Sequence, residues 1–257
     1  MSKTDIKLAL VNGDTEAAEK SAQELKELYE FVPIEDADVI VALGGDGFML
    51  HLLHEHLDIE TPIFGMNLGT IGFLLNKFSA KKLTSRINNA IPFNMHPLKM
   101  EAVCVDGQIT EALAFNEVSL LRETRQTAKI KIFVDGKLRL EELACDGVLL
   151  STPAGSTAYN LSAHGPIIPM NANILALTPI SAFRPRRWRG ALMSQNVEIR
   201  FEICHPEKRP VSAVADTIEV RSVKNVTVKQ DQTTSKTLLF DKKHTLEERI
   251  LNEQFIG

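Results

Sequence analysis

Apolar residues follow one pattern in the first third of this chain and another beyond residue 92. In the first third, short apolar runs alternate with segments whose apolar residues recur at helical spacing. The runs predict strands at 6–11, 38–43 and 62–67, and the spacing predicts helices at 16–29, 48–56 and 79–91. Residues 12–15 supply a turn and an N-cap for the first helix, and Ser79 caps the last. Strand–helix alternation of this kind indicates a parallel sheet with ligands at the carboxyl ends of its strands.

Beyond Pro92 the period shortens to that of strands. Residues 129–134 and 137–140 flank Asp135-Gly136, an arrangement typical of a hairpin. Further strands are predicted at 147–151, 197–203, 217–220, 225–228 and 237–240, and a helix only at 246–255. We therefore expect an α/β domain with a parallel sheet at 1–95 and a β-rich domain at 96–257, whose closing helix packs back on the first domain.

Composition narrows the classes of function. The 257 residues are 44% hydrophobic and 24% charged, and the net charge of −4 argues against a general nucleic-acid or membrane-surface role. Cys104, Cys145 and Cys204 are far apart, which favours reduced thiols over disulfides or a zinc site. No apolar run is long enough to span a bilayer or to form a signal peptide, so we expect a cytoplasmic protein.

The strand at 38–43 runs directly into Gly44-Gly45-Asp46-Gly47. Glycines allow backbone N–H groups to close on a phosphate, because no Cβ stands in the way. A carboxylate at such a turn repels phosphate, so Asp46 needs another task, such as taking a hydroxyl proton or holding Mg²⁺. This combination favours phosphoryl transfer over simple nucleotide binding, although a purely structural turn would also use glycine.

Two later segments have related features. Residues 67–72 form a second glycine-bearing turn at the end of a predicted strand, so both turns can converge on one crevice. Residues 151–159, Ser-Thr-Pro-Ala-Gly-Ser-Thr-Ala-Tyr, follow another apolar strand and offer hydroxyls and a tyrosine ring that suit the adenine and ribose of a nucleotide. The alternative is an ordinary helix start capped by Ser156 or Thr157, and the two interpretations are compatible.

Together these segments resemble the NAD kinase family. Its patterns are a GGDG turn, an N-x-G-x-x-G-F-L turn, an asparagine–acid pair and an S-T-P-x-G-S-T-A-Y segment. This chain has all four in the family order, at 44–47, 67–74, 116–117 and 151–159. GGDG alone is shared with lipid kinases and phosphofructokinases, but four ordered motifs covering most of the chain are specific to the NAD kinase pattern.

The resemblance implies an ATP-dependent kinase that phosphorylates the 2′-hydroxyl of the adenosine ribose of NAD. Asp46 matches the acid that activates this hydroxyl, and the first glycine turn would hold the triphosphate with Mg²⁺ or another divalent cation. Asn116 and Glu117 match the pair that hydrogen-bonds adenine. Asp146 and the segment 157–162 match the part that lines the NAD site, in part from a neighbouring subunit, which implies a homodimer or homotetramer.

The implied nucleotide-binding residues, no metal ligand being assigned, are Gly44, Gly45, Gly47, His51, Asn67, Gly69, Gly72, Phe73, Asn116, Glu117, Asp146, Ala154, Ser156, Thr157, Ala158, Tyr159, Asn160 and Ser162. Phe73 is expected to pack on NAD. His51 is the helix histidine expected to touch a phosphate, because the family often has a basic residue at this position. Packing or surface roles are the alternative for His51, His54 and His56.

Some positions depart from the family pattern. Ala154 replaces a frequent small hydroxyl, residues 179–183 differ from the usual proline–histidine–serine run, and Asp216-Thr217 stands where many relatives have aspartate–glycine. These departures affect substrate preference rather than reaction type. The basic run at 184–190 could grip phosphate or single-stranded nucleic acid, but we favour an interface or surface turn.

Three other functions compete with this assignment. A lipid or sugar kinase could use the same glycine turn, but it would need an apolar chute or a sugar-phosphate clamp. A noncatalytic nucleotide sensor would have no need of Asp46. A Rossmann dehydrogenase requires a G-x-G-x-x-G that opens a helix, which this chain lacks.

Overall fold

The computed structural model describes residues 6–69 and 72–242 of the chain. Its strands are β1 (Leu8–Asn12), β2 (Val39–Gly44), β3 (Ile63–Asn67), β4 (Asn76–Lys77), β5 (Ile91–Met95), β6 (Leu98–Cys104), β7 (Ile109–Ala114), β8 (Glu117–Arg122), β9 (Ala128–Val134), β10 (Lys137–Cys145), β11 (Gly147–Ser151), β12 (Ile174–Ile180), β13 (Ala191–Ser194), β14 (Ile199–Ile203), β15 (Val211–Ala215), β16 (Ile218–Val220), β17 (Val223–Gln230) and β18 (Lys236–Phe240). Its helices are α1 (Glu16–Lys26), α2 (Asp46–Glu55), α3 (Leu83–Asn88) and α4 (Tyr159–Ser162).

The described residues divide into two compact units. The first contains residues 6–95 and 234–242, and the second is His96–Thr233. Met95 is also the last residue of the α/β domain expected from the sequence. Residues 234–242 lie with the first unit, whereas the expectation placed them in the second domain. The helix expected at 246–255 lies outside the described residues.

The first unit is built on one six-stranded sheet in the order β1-β2-β3-β18-β5, with β4 also paired to β3. β1, β2, β3 and β4 are mutually parallel where they pair, as the strand–helix alternation predicts. β18 pairs in parallel with β3 and antiparallel with β5, so the sheet is mixed. Leu8, Val41, Leu43 and Phe64 are buried with Leu25 of α1, which shows how the apolar face of that helix covers the sheet.

Side-chain contacts explain where two of the helices begin. Thr15 caps α1 as predicted, because its Oγ1 accepts the Ala18 N–H at 3.2 Å. The helix predicted at 79–91 is reduced to α3, and Ser79 does not cap it. The Tyr29 hydroxyl instead accepts the Leu83 N–H at 3.1 Å and donates to the Ala80 carbonyl at 2.9 Å. A tertiary contact from a distant residue thus determines where this helix begins.

The second unit contains two six-stranded antiparallel sheets. Their orders are β10-β9-β14-β17-β6-β7 and β13-β12-β11-β8-β15-β16. Buried residues of both sheets, such as Phe201 of β14 and Leu150 of β11, belong to one apolar core. The predicted hairpin is present between β9 and β10, with Asp135 (φ 49°) and Gly136 (φ 74°) at its turn. This unit confirms the expected β-rich architecture.

No helix in the described part of the chain is long and apolar enough to cross a membrane.

Candidate functional site

The first glycine turn lies where buried strand β2 ends and helix α2 begins. Gly45 is the N-cap of α2 and Asp46 is its first residue, half-buried at the carboxyl edge of the parallel strands. A Cβ on Gly44 would lie 2.5 Å from the Phe48 ring, so close packing explains that glycine. A Cβ on Gly45 or Gly47 would meet no atom of the described residues within 4 Å, and neither glycine has a positive φ. Neither contacts with the described residues nor backbone conformation therefore explains these two glycines.

The second turn is braced by Asn67 at the end of β3. Its Oδ1 accepts the Gly69 N–H at 3.0 Å and its Nδ2 donates to the Gly69 carbonyl at 3.0 Å. A Cβ on Gly72 would lie 2.9 Å from Cγ of Asn67, so a side chain at position 72 would clash with the Asn67 side chain. The Leu68 N–H donates to the Gly44 carbonyl at 3.1 Å. The two glycine turns are therefore joined directly, as their places on neighbouring strands predict.

Asp46 joins the same two turns through its side chain. Its carboxylate accepts the Phe73 N–H at 2.8 Å on Oδ2 and the Leu74 N–H at 3.0 Å on Oδ1. The backbone that follows the second turn thus holds the Asp46 carboxylate in a fixed orientation. The side chain of Phe73, which directly follows Gly72 in sequence, is half-buried.

His51 lies on the exposed side of α2. Its side chain is 74% exposed, and its Nε2 lies 3.8 Å from Oε2 of Glu55, one turn further along the helix. The contact with phosphate expected from the sequence stays a prediction. Within the ranges 6–69 and 72–242, no group of three or more His, Cys, Asp or Glu residues could hold a metal ion.

In the second unit, residues 115–117 form the turn from β7 into β8, with Asn116 between the two strands and Glu117 as the first residue of β8. The carboxylate of Asp216 accepts three consecutive backbone N–H groups of this turn, from Phe115 at 2.7 Å, Asn116 at 3.1 Å and Glu117 at 3.3 Å. The Thr152 hydroxyl donates to the Phe115 carbonyl at 2.7 Å, and the Thr152 N–H donates to the Asn116 carbonyl at 2.9 Å. The turn is thus held from both sides.

The side chains of this pair keep polar atoms available. The Asn116 amide makes no side-chain hydrogen bond to the described residues, and Oε2 of Glu117 is buried without a partner among them. Burial raises the pKa of the Glu117 carboxyl to about 7, the negative charge of Asp216 adds to this effect, and the backbone N–H of Tyr159 opposes it. A buried acceptor without a partner is costly, which marks Glu117 as a candidate ligand-binding group.

The segment after β11 divides into interior and accessible residues. Ala154, Ser156 and Asn160 are buried. Oγ of Ser156 donates to the Pro153 carbonyl at 2.6 Å and accepts the Ile168 N–H at 3.0 Å. Asn160 donates to the Pro166 carbonyl at 2.9 Å and accepts the Thr178 hydroxyl at 2.7 Å. Both side chains hold the loop together from within, a role that the sequence pattern did not separate from nucleotide binding.

Thr157, Ala158 and Tyr159 are half-buried, and Ser162 is exposed. The Thr157 hydroxyl donates to the Ala154 carbonyl at 3.3 Å, whereas the Tyr159 hydroxyl makes no hydrogen bond to the described residues. Burial raises the pKa of Tyr159, and the charges of Glu117 and Asp146 raise it further. These accessible residues form the outer face of the segment.

Tyr159 lines two cavities of the second unit. One, of about 700 Å³, is also lined by Asp146 and by Arg122, whose Nε lies 2.5 Å from Oδ1 of Asp146. The other, of about 360 Å³, is lined by Ser162 and by residues of the basic run, including Arg186 and Trp188. Asp146 thus enters the site as half of an ion pair, and Arg122 is a residue that the sequence motifs did not identify.

Asp216 is the main residue of the site that motif reasoning treated only as a departure from a pattern. It follows β15 with a φ of 50°, a conformation that aspartate tolerates better than most residues. Thr217 has no positive φ, so this turn does not require the glycine that many family members have there. An aspartate after a strand is a weak sequence signal of such a role, because the backbone N–H groups that Asp216 accepts lie about a hundred positions away and no local pattern reveals them.

Comparison with known proteins places the chain in a family. Residues 7–92 match a family model described as the ATP-NAD kinase N-terminal domain, and residues 115–237 match one described as the ATP-NAD kinase C-terminal domain. A protein named NAD kinase from Caulobacter vibrioides is 57% identical over 97% of this chain and 96% of its own length. Another so named, from Zymomonas mobilis, is 54% identical over 97% of both chains.

Two solved structures share the fold at low sequence identity. A yeast NADH kinase complexed with NADH aligns with a TM-score of 0.80 and 22% identity, covering 99% of this chain and 89% of the other. An NAD kinase from Archaeoglobus fulgidus in complex with ATP aligns with a TM-score of 0.73 and 24% identity, covering 96% of each. The two family models, the near full-length relatives and the four ordered motifs lead to one conclusion: this chain belongs to the NAD kinase family.

Proposed function

We propose that this protein transfers the γ-phosphoryl group of ATP to the 2′-hydroxyl of the adenosine ribose of NAD, forming NADP. The observation that carries the proposal is the carboxylate of Asp46, which is held at the junction of two glycine turns by the Phe73 and Leu74 N–H groups. It supports the reaction because the family relatives are named NAD kinases, and a kinase needs an oriented acceptor for the hydroxyl proton.

The first unit would bind the phosphate donor. Gly45 and Gly47 leave open space above the start of α2, where backbone N–H groups can approach phosphate oxygens. Asp46 would accept a hydrogen bond from the attacking hydroxyl on one of its carboxylate oxygens. In a loose transition state the proton leaves late, so orientation of the hydroxyl contributes more than early deprotonation.

The donor set fits a divalent cation that arrives with ATP. Mg²⁺ prefers oxygen ligands and usually keeps several waters, with one or two carboxylates and the phosphates completing its shell. Asp46 is the carboxylate of the glycine turns that could contribute, and within the described residues no group of three or more His, Cys, Asp or Glu side chains could hold the ion without ATP. The cation would neutralise charge on the transferring phosphoryl group.

The second unit would bind the acceptor NAD. Asn116 presents its amide and Glu117 a buried carboxyl oxygen, Oε2, neither with a side-chain partner among the described residues, and these groups suit the donor and acceptor edge of adenine. Tyr159 offers a ring and a hydroxyl in the wall of both cavities, and Asp146 and Ser162 line one cavity each. We assign these residues to the acceptor site, with Thr157 and Ala158 beside them, in a homodimer or homotetramer.

The test is direct. Purified protein is incubated with ATP, Mg²⁺ and NAD, and NADP is measured with an NADP-specific dehydrogenase. We expect NADP to accumulate with wild-type protein and Asp46→Asn to lower kcat by at least about a hundredfold, because the amide cannot take the proton. Glu16→Gln is the matched control, since Glu16 opens α1 after β1 as Asp46 opens α2 after β2.

Other outcomes would favour the competing functions. Nucleotide binding without turnover, in both wild type and Asp46→Asn, would indicate a sensor. Turnover of ATP with a lipid or sugar acceptor, but not with NAD or NADH, would indicate the corresponding kinase. Size-exclusion chromatography of active protein that shows only a monomer would contradict the proposed homodimer or homotetramer.

A further inference from the structure

We propose that Asp216 is a positioning residue for acceptor recognition, which fixes the turn at 115–117 so that Asn116 and Glu117 meet the nucleotide in one geometry. This inference rests on the proposed function. Asp216 lies a hundred residues away from the turn in sequence and accepts the backbone N–H groups of Phe115, Asn116 and Glu117 at 2.7, 3.1 and 3.3 Å. Its own N–H donates to the Glu117 carbonyl at 3.3 Å.

The opposite side of the turn is equally constrained. The Thr152 hydroxyl donates to the Phe115 carbonyl, and the Thr152 N–H donates to the Asn116 carbonyl. Oγ1 of Thr152 also accepts the Gly155 N–H at 3.0 Å. A Cβ on Gly155 would lie 2.2 Å from the Asn116 carbonyl oxygen, so this backbone approach excludes any side chain. The backbone of the turn thus has its polar groups bound, while the side chains of Asn116 and Glu117 remain available.

The backbone groups of the turn are bound while its side chains are available, and this difference distinguishes a positioning role of Asp216 from structural capping alone. A cap that served only folding would leave the side chains of its turn free to take several rotamers. Here Oε2 of Glu117 is buried with no partner among residues 6–69 and 72–242, so the backbone that carries Glu117 determines where this oxygen meets a ligand. Asp216 therefore affects the acceptor site twice: by hydrogen bonds that hold the turn, and by a negative charge beside the Glu117 carboxyl.

The charge makes a second readout possible. Asp216, from the turn between β15 and β16, and Tyr159, from α4, are the groups that shift the pKa of Glu117 besides burial itself. The Asp216 charge raises this pKa, so its removal lowers it. If the ionised carboxylate accepts a hydrogen bond from the nucleotide, KM for NAD falls as pH rises through about 7 in wild type. In the Asp216→Asn variant the same fall occurs at lower pH.

The experiment compares Asp216→Asn with a matched control, Asp135→Asn. Asp135 also has a left-handed backbone, with φ of 49°, and its Oδ1 accepts the Glu198 N–H at 3.0 Å, but it lies in the β9–β10 hairpin. Asparagine at 216 sets an NH₂ group against one of the three N–H donors and loosens the turn. We expect KM for NAD to rise about tenfold or more, KM for ATP to change less than about twofold, and both KM values to stay unchanged in the control.

Thr152→Val is the second variant if Asp216→Asn does not fold, because it removes the hydroxyl from the other side of the same turn. It should also raise KM for NAD selectively, and Thr152→Ser should restore it. Equal changes in both KM values, or an unshifted pH profile, would overturn the positioning role. Wild-type protein that does not phosphorylate NAD would instead refute the proposed function, so the two failures are distinguishable.

Discussion

At the scale of single residues, the glycines of the first turn have different reasons to be glycine. Gly44 faces the Phe48 ring, whereas a Cβ on Gly45 or Gly47 would meet none of the described residues, and both have ordinary φ angles. The structure therefore separates a packing glycine from two that packing among the described residues does not explain, and for these two the phosphate role stays a proposal. This difference is invisible in the sequence, where all three belong to one motif.

Alanine at these positions should separate stability from donor binding. Gly44→Ala should destabilise the protein by about 1–3 kcal/mol through the Phe48 clash. Gly47→Ala and Gly45→Ala should stay within about 1 kcal/mol of wild type yet raise KM for ATP about tenfold or more. Urea unfolding without nucleotide and initial rates against ATP measure the two effects. An unchanged KM for ATP in Gly47→Ala would remove the phosphate role of that glycine.

The Glu117 carboxyl should make stability depend on pH. Its pKa is raised from 4.5 to about 7 in the folded protein, so its contribution to stability is fully present below pH 4.5 and is lost as pH rises through about 7. Glutamine does not ionise, so the stability of Glu117→Gln does not fall in this pH range through deprotonation at position 117. Relative to wild type, the variant should gain stability by up to about 3 kcal/mol between pH 4.5 and 8.

Denaturant unfolding at closely spaced pH values measures this difference. Glu141→Gln is the control, because Glu141 is exposed on β10 of the same unit. Its stability curve should run parallel to that of wild type across the range. A parallel curve for Glu117→Gln as well would mean that burial does not hold the Glu117 proton.

At the scale of elements, the local sequence pattern predicted strands and turns well. It failed where contacts with residues distant in sequence determine the start of a helix or the orientation of a side chain. β2, β3, β11 and the β9–β10 hairpin follow from apolar runs and turn residues close in sequence. The start of α3 depends on the Tyr29 hydroxyl, more than fifty residues earlier. Ser156 and Asn160 have the polarity of ligand-binding residues but are turned inward by partners that no spacing rule reveals. The motifs proposed the site residues, and the structure divides those residues between backbone support and accessible surface, while their ligand roles stay predictions.

β18 is the element whose position was least visible from its own sequence. Its Lys236 is 3% exposed, and its ammonium donates to the carbonyls of His56 and Ile59 just beyond the end of α2. Burial lowers the pKa of this lysine, and the charges of Asp58 and Glu60 oppose the shift. A buried lysine that caps the chain after α2 links the last described strand to the helix that begins with Asp46.

Lys236→Met should test this link. The change keeps the aliphatic stem and leaves the two carbonyls without their donor, so we expect a loss of about 1–3 kcal/mol in the free energy of unfolding. Lys224→Met, at an exposed position on β17, is the matched control and should change stability by less than about 0.5 kcal/mol. Equal stability of the two variants would show that the ammonium contributes nothing to the fold.

At the scale of the whole molecule, the second unit is inserted between two neighbouring strands of the first. β5 ends at Met95, and the chain leaves for the second unit at His96 and returns at Thr234. Met95 then pairs with Lys236 in an antiparallel register, so exit and return lie side by side in the same sheet. β18 also separates β5 from β3, so the first unit is incomplete without the returning segment.

This connectivity predicts how fragments of the chain behave. Residues 96–233 contain every strand of both antiparallel sheets and their shared core, so this fragment should fold alone and unfold in one cooperative transition. Residues 1–95 should not fold alone, because β5 loses its pairing with β18. Joining 1–95 to 234–257 through a short Gly-Ser loop should restore folding, since a tight hairpin suffices to connect Met95 to Lys236. Circular dichroism and thermal unfolding of the three fragments measure these outcomes. A cooperative transition in 1–95 alone would contradict the dependence of the first unit on β18, as would a joined fragment that stays unfolded.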